Sequence, residues 1–204
     1  MTDLSITRGD RSTTQFTILN SAVEPAVAID LTGAVVRFAV KNFPDQDAAA
    51  ALVSLRSYYD DEIQLTDAVN GIGFWDLLPW RTRRLCSGLF FWDLEVTRPR
   101  ESLTSVGTVD VEDGSGVLVG AGLGLSGVRE GDLLVASGAA AANQKTVVIE
   151  AVGGQGAAND PGAGNILTDY MTWTDEVAVP IEVFRGDVAT PDAGRFRIVA
   201  DVVR

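Results

Sequence analysis

Hydrophobic and polar residues alternate most sharply in Leu89-Phe90-Phe91-Trp92-Asp93-Leu94-Glu95-Val96, a run introduced by Ser87-Gly88 and closed by Arg98-Pro99-Arg100. Phe90, Trp92, Leu94 and Val96 fall on one side at period two, with Asp93 and Glu95 on the other. That pattern predicts a strand with one buried and one wet face. Val36, Phe38 and Val40 alternate with Arg37 and Lys41 in the same way and predict a second half-buried strand. Earlier, an opening strand, a turn at Arg8-Gly9-Asp10 and a strand through Thr14, Phe16 and Ile18 are expected. Ala48 to Leu52 reads as one helical turn at most, continuing into an extended edge segment at Val53-Ser54-Leu55. Ile63–Leu65 and Ile72–Phe74 flank Asn70-Gly71, a strong hairpin signal because both residues tolerate positive φ. Pro79 ends the returning strand, and Trp80 is expected to lid one end of the core.

Past Arg100 the texture changes. Residues 102–178 are glycine-rich, with no aromatic residue before Tyr170 and Trp173. Strand patterns recur at Val106–Val111, Val117–Val119, Leu133–Val135, Thr146–Val152 and Ile166–Thr174, separated by turn signals. Five short strands at this spacing suggest a small barrel or a compact meander. The sandwich pattern then resumes: Val179, Ile181 and Val183 precede an expected loop from Arg185 to Gly194, after which Phe196, Ile198 and Ala200 alternate with Arg195 and Arg197. The expected fold is therefore all-β. Residues 1–101 and 179–204 form one β-sandwich, the C-terminal strand lies beside the 90–96 strand, and 102–178 form an inserted small β-barrel-like domain. Such an insertion replaces a hairpin tip, where added chain is best tolerated.

Composition narrows the chemistry. The chain has 204 residues, of which 46% are hydrophobic, enough for real cores, and 21 glycines, which suit short strands and many turns. No run of ~18 apolar residues predicts a membrane helix, and the N-terminus lacks a secretory pattern. A net charge of −12 disfavours nucleic acid as a partner. The lone Cys86 excludes an internal disulfide and is read as a half-buried, unreactive thiol. Histidine is absent, which removes the commonest general base and most zinc and haem sites. The expectation is a non-enzyme without a cofactor.

Candidate sites are few. Arg-Gly-Asp occurs at Arg8–Asp10 and Arg185–Asp187, each read as a turn between strands. The glycine-rich 153–164 stretch lacks the Gly-Lys-Ser/Thr of a phosphate loop and is read as a mobile loop, with ordering against a neighbouring subunit as one option. Asp60, Asp61 and Glu62, and likewise Asp110, Glu112 and Asp113, match no calcium-loop spacing, so no metal is expected. Tyr58, Tyr59, Phe91, Tyr170 and Trp173 either exceed what two small cores bury, and so form interfaces, or fill the ends of the sandwich. Arg81, Arg83 and Arg84 suit pairing with acidic loops of an adjacent copy.

The segments Leu4–Asp10, Asp30–Lys41, Ile63 through Gly71, Gly88 through Val96 and Gly194 through Val203 occur in an order that resembles the immunoglobulin-like domain of phage baseplate upper proteins. The resemblance covers residues 1–100 and 179–204, and Leu31-Thr32-Gly33-Ala34 with its following strand is its most specific piece. The departures are the 102–178 insertion and the basic loop 81–84, where that family has a short glycine-containing turn. Within the insertion, Gly107–Val111, Val117–Gly120 and Gly127–Leu133 look like small β-modules of phage virion proteins. The resemblance implies an immunoglobulin-like sandwich in a virion, made in the host cytoplasm and assembled in symmetric copies with other virion structural proteins at the tail or baseplate. The alternatives are a capsid decoration or head-fibre protein and a carbohydrate- or cell-surface-binding module. An acid-catalysed hydrolase is the weakest reading.

Overall fold

The computed structural model describes residues 3–200 except 21–23, 48–49, 60–61, 104–106, 113, 121–124, 126, 138–139, 155–160, 163–164, 169 and 171; of 191–194 it describes only the backbone. The protein is predominantly β. It divides into two compact units, residues 1–32, 36–96 and 188–204 in one, and 33–35 with 97–187 in the other.

The first unit holds β1 (Leu4–Thr7), β2 (Ser12–Thr17), β3 (Leu19–Asn20), β4 (Val27–Ala28), β5 (Val35–Lys41), β6 (Val53–Arg56), β7 (Ile63–Asp67), β8 (Ile72–Leu77) and a five-residue helix, α1 (Pro79–Arg83). The first part of β9 (Gly88–Ser102) and the last part of β15 (Glu176–Val199) complete it. Its larger sheet runs β1-β15-β9-β5-β6, and a smaller one runs β2-β8-β7. β1 pairs parallel to β15, with Leu4 opposite Phe196 and Ile6 opposite Ile198. The two sheets meet through aromatic rings. Trp75 of β8 stacks on Phe38 of β5 at 4.6 Å and lies 5.9 Å from Trp92 of β9. Phe16 of β2 stacks on Trp75 at 5.5 Å, and Phe196 meets Phe38 edge-on at 6.4 Å. All five rings are buried. The period-two positions that defined these strands thus converge on one aromatic core.

The β7–β8 hairpin turns at residues 68–71, as Asn70-Gly71 led one to expect. Gly71 has φ 67, and a methyl there would sit 2.7 Å from the carbonyl oxygens of Ile18 and Ile29, so only glycine fits. β6 is the expected edge segment, paired among the described residues to β5 alone. The expected helical turn at 48–52 lies partly outside the described residues.

Two faces read as wet are buried. Ala39 is 0% exposed, and Lys41 and Asp93 are buried and paired to each other. Strict alternation reports that two faces differ, not that the second is open. The Arg185–Gly194 stretch is also not a loop: β15 continues unbroken through it. Its glycine and proline signals are overridden because β9, itself fifteen residues long, lies alongside as a partner.

In the second unit, β10 (Gly107–Val111), β11 (Val117–Gly120), β12 (Leu133–Ser137), β13 (Gln144–Val152), β14 (Asn165–Thr168) and the start of β15 close into a six-stranded antiparallel barrel. The order is β10-β11-β14-β13-β12-β15, and β10 pairs back to β15 to complete the ring. Opposite residues in each pair share a face. Leu134 faces in beside Val147 and Val183, Leu118 beside Ile166, and Val109 beside Val179, and all are buried. Val179, Ile181 and Val183, expected in the sandwich, therefore supply the barrel's sixth strand. The expected domain limits at 101/102 and 178/179 both fall inside these long strands. A register shift between Val109 and Val111 bends β10 against β15, where Ala178 has φ 54 and donates its N–H to Asp110 Oδ1 at 2.9 Å.

In the second unit, Trp173 is 0% exposed and donates Nε1–H to Thr168 Oγ1 at 3.4 Å, while Tyr170 packs edge-on to it at 4.9 Å. The Arg129–Asp132 turn is gripped by β15. Arg185 Nη1 donates to both carboxylate oxygens of the buried Asp132 at 3.0 and 3.1 Å, and Arg129 N–H donates to Oδ2 at 3.0 Å. β15 passes so close that a methyl on Gly186 would sit 2.1 Å from Gly131 O.

Candidate interface at the helix α1 corner

Pro79 opens α1 with its fixed φ where an N–H has no helical partner in any case. The helix is too short to stand alone and is fastened by side chains. Thr82, 0% exposed, accepts from Gly9 N–H at 3.0 Å. Arg8 donates from Nε and Nη2 to Arg83 O at 3.2 and 2.9 Å, so the Arg8–Asp10 segment is a turn with its arginine already engaged. On the other side Arg81 Nη2 donates to Glu62 Oε1 and Nη1 to Ser54 O, while Glu62 Oε2 accepts from Arg56 N–H at 2.8 Å. Glu62 therefore ties the helix to the turn that carries Tyr58 and Tyr59. What the helix presents outward is Trp80, 47% exposed, with the Arg81 guanidinium 4.5 Å and that of Arg84 5.2 Å from its ring.

This sorts the residues singled out from sequence. Arg83 and Arg84 are exposed at this corner, and Arg81 belongs to it but is spent on Glu62. Tyr59 is half-buried against Tyr58, with ring centroids 5.0 Å apart, and Phe91 is half-buried in β9. Tyr58, Tyr170 and Trp173 are buried, Tyr58 in the first unit and Tyr170 and Trp173 in the second rather than at the ends of a sandwich. Trp80, expected to lid one end of the core, is instead 47% exposed on the helix. The available signal was the spacing Trp80–Arg84, four apart and hence on one face of a helix. Cys86 is exposed rather than half-buried. Arg185 and Asp187 lie in β15, bonded to Asp132 and Arg98, not at a turn. Asp60, Asp61, Asp113 and most of the 153–164 stretch lie outside the described residues. Among the described residues no three Asp, Glu or Cys side chains gather as metal ligands, and no helix is long and apolar enough to cross a membrane.

The other polar cluster is the Lys41–Asp93 pair with Glu95 and Arg37. Burial and the neighbouring Asp93 carboxylate raise the Glu95 pKa, against the opposing pull of Arg37 and Lys41. Asp76 is shifted the other way, lowered mainly by its bond from Arg11, and Asp30 is lowered by Thr32. The signs are opposite. Asp76 and Asp30 contribute stability above the ordinary aspartate range, and it is lost as pH falls through their lowered folded pKa values. Glu95 opposes folding above its raised pKa, and that opposition disappears as pH falls below the ordinary glutamate range. Glu95→Gln is expected to raise the thermal midpoint at pH 7, with the gain shrinking to nothing toward pH 4; an unchanged or lower midpoint at pH 7 would contradict this assignment.

No protein-family model matches the sequence, and no curated protein matches it.

Proposed function

We propose that this chain is a non-enzymatic docking protein of a tailed-phage particle, acting in tail or baseplate assembly in symmetric copies. In this reading it is an immunoglobulin-like sandwich with a small barrel inserted between its last two strands. The observation that carries the docking role is the exposed Trp80 with two guanidiniums against its ring, on a helix braced from both sides. Tryptophan and arginine dominate interface hot spots, and bracing means little ordering entropy is lost on contact. The particle assignment draws on the resemblance of residues 1–100 and 179–204 to the baseplate immunoglobulin-like domain. The order β1-β15-β9-β5-β6 facing β2-β8-β7, with the first strand parallel to the last, favours it, because an immunoglobulin-like sandwich arranges its strands this way.

In a phage that encodes the chain, replacing Trp80 and Arg84 together by alanine is expected to leave the folded protein soluble but reduce its incorporation into particles about tenfold or more, the loss of one hot spot of at least ~2 kcal/mol. Quantitative mass spectrometry of purified particles reads the result. Incorporation at the wild-type level would remove the corner from the interface, and absence of the wild-type chain from particles would remove the function.

A further inference from the structure

In the first unit, β1, the start of β9 and the end of β15 enclose an open groove of about 310 Å³, lined by Asp3, Leu4, Ser5, Leu89, Arg195 and Arg197. Leu89 is 51% exposed, and both arginines are exposed. Arg11, Lys41, Arg81, Arg98 and Arg185 are each held by a carboxylate of the chain itself. Arg195 and Arg197 are not: among the described residues neither has a hydrogen-bond or ion-pair partner. In a chain with 28 acidic and 16 basic residues, they place two exposed guanidiniums side by side on one strand. Alongside them β1 pairs only with β15, so its other edge is unpaired backbone among the described residues.

We propose that this groove takes an extended, acidic segment of a partner protein, laid along the edge of β1 with carboxylates at alternate positions. Arg195 and Arg197 stand two residues apart on one strand, roughly 7 Å, which is also the spacing of alternate side chains in an extended ligand. Each guanidinium fork matches one carboxylate in a bidentate pair. Strand addition supplies main-chain hydrogen bonds, and the two arginines supply the sequence preference. Leu89 offers an apolar seat for a side chain between or beside the acids. Asp3 is a carboxylate in the lining, and it sets polarity by favouring a ligand N–H over a further acid at its end. The proposal names the chemistry of one occupant and stands apart from the assembly reading, whatever particle or complex contains the chain.

The test is fluorescence anisotropy of the full chain with a labelled peptide alternating glutamate and valine, with its lysine–valine counterpart and inorganic phosphate as competitors. Saturable binding of the glutamate peptide alone is expected, weakened by salt and weakened about tenfold or more in Arg195→Gln/Arg197→Gln. If that double variant does not fold by circular dichroism, Leu89→Ser provides the second reading, with a several-fold loss expected. Equal binding of both peptides, unchanged affinity in the variants, or full displacement by phosphate would overturn the proposal. So would self-association of the wild type that the double variant abolishes, since the occupant would then be a second copy.

Discussion

Replacing Trp75 by alanine is expected to destabilise the first unit by about 3–5 kcal/mol, the range for removing a large buried aromatic. Trp75 is 4% exposed and is the ring on which both sheets converge: it stacks on Phe16 and Phe38 and tilts against Trp92. Deleting it opens a cavity bounded by three rings that are themselves fixed to strands β2, β5 and β9, so collapse into the space is limited. Trp75→Phe keeps an aromatic face for Phe38 and should recover part of the loss. Urea titration followed by tryptophan fluorescence, with Trp92 as the remaining reporter in this core, measures both. A loss below about 1 kcal/mol for the alanine variant would mean that the sheets are not joined through these rings.

Replacing Lys41 by methionine is expected to cost a similar amount, about 3–5 kcal/mol, for a different reason. Lys41 and Asp93 are 5% and 8% exposed, and the amine donates to Asp93 Oδ2. Asp93 Oδ1 is buried and has no hydrogen-bond partner among the described residues. Without the amine, a buried carboxylate is left uncompensated beside Glu95. The double replacement Lys41→Met/Asp93→Leu removes both charges and should regain most of the loss, because a buried pair gains little over well-packed apolar groups. Double-mutant analysis of unfolding midpoints distinguishes this from simple overpacking, in which the second substitution would add to the first.

The aromatic core was legible because Phe38, Trp92 and Phe196 sit at strict period two and β7–β8 turns at an Asn-Gly. The barrel was legible as a barrel or meander from the spacing of its strands, but its sixth strand was not. Val179, Ile181 and Val183 alternate just as Phe196 and Ile198 do, and period two carries no information about which partner a strand meets. Arg185 to Gly194 carries turn residues, and only a long neighbouring strand explains why it stays extended. Lys41 and Asp93 looked solvated because each is charged; their mutual pairing, 52 residues apart in sequence, leaves no local trace. At the candidate interface the arginine cluster was visible, whereas the exposure of Trp80 depends on a helix of five residues that propensity alone does not foresee. Tyr170 and Trp173 were ambiguous for the converse reason: two aromatics near a glycine-rich stretch fit a core or a surface equally, and the partner of the buried Trp173 indole N–H, Thr168 Oγ1, leaves no mark in the sequence pattern.

The most direct test of the docking account is crosslinking mass spectrometry on intact particles assembled with this chain. The account predicts crosslinks from groups placed at positions 80, 83 and 84 to a neighbouring subunit, recurring in every copy, with positions 170 and 173 giving none to neighbours. Particles in which positions 80–84 stay unlinked while another surface of the chain carries all the contacts would contradict it.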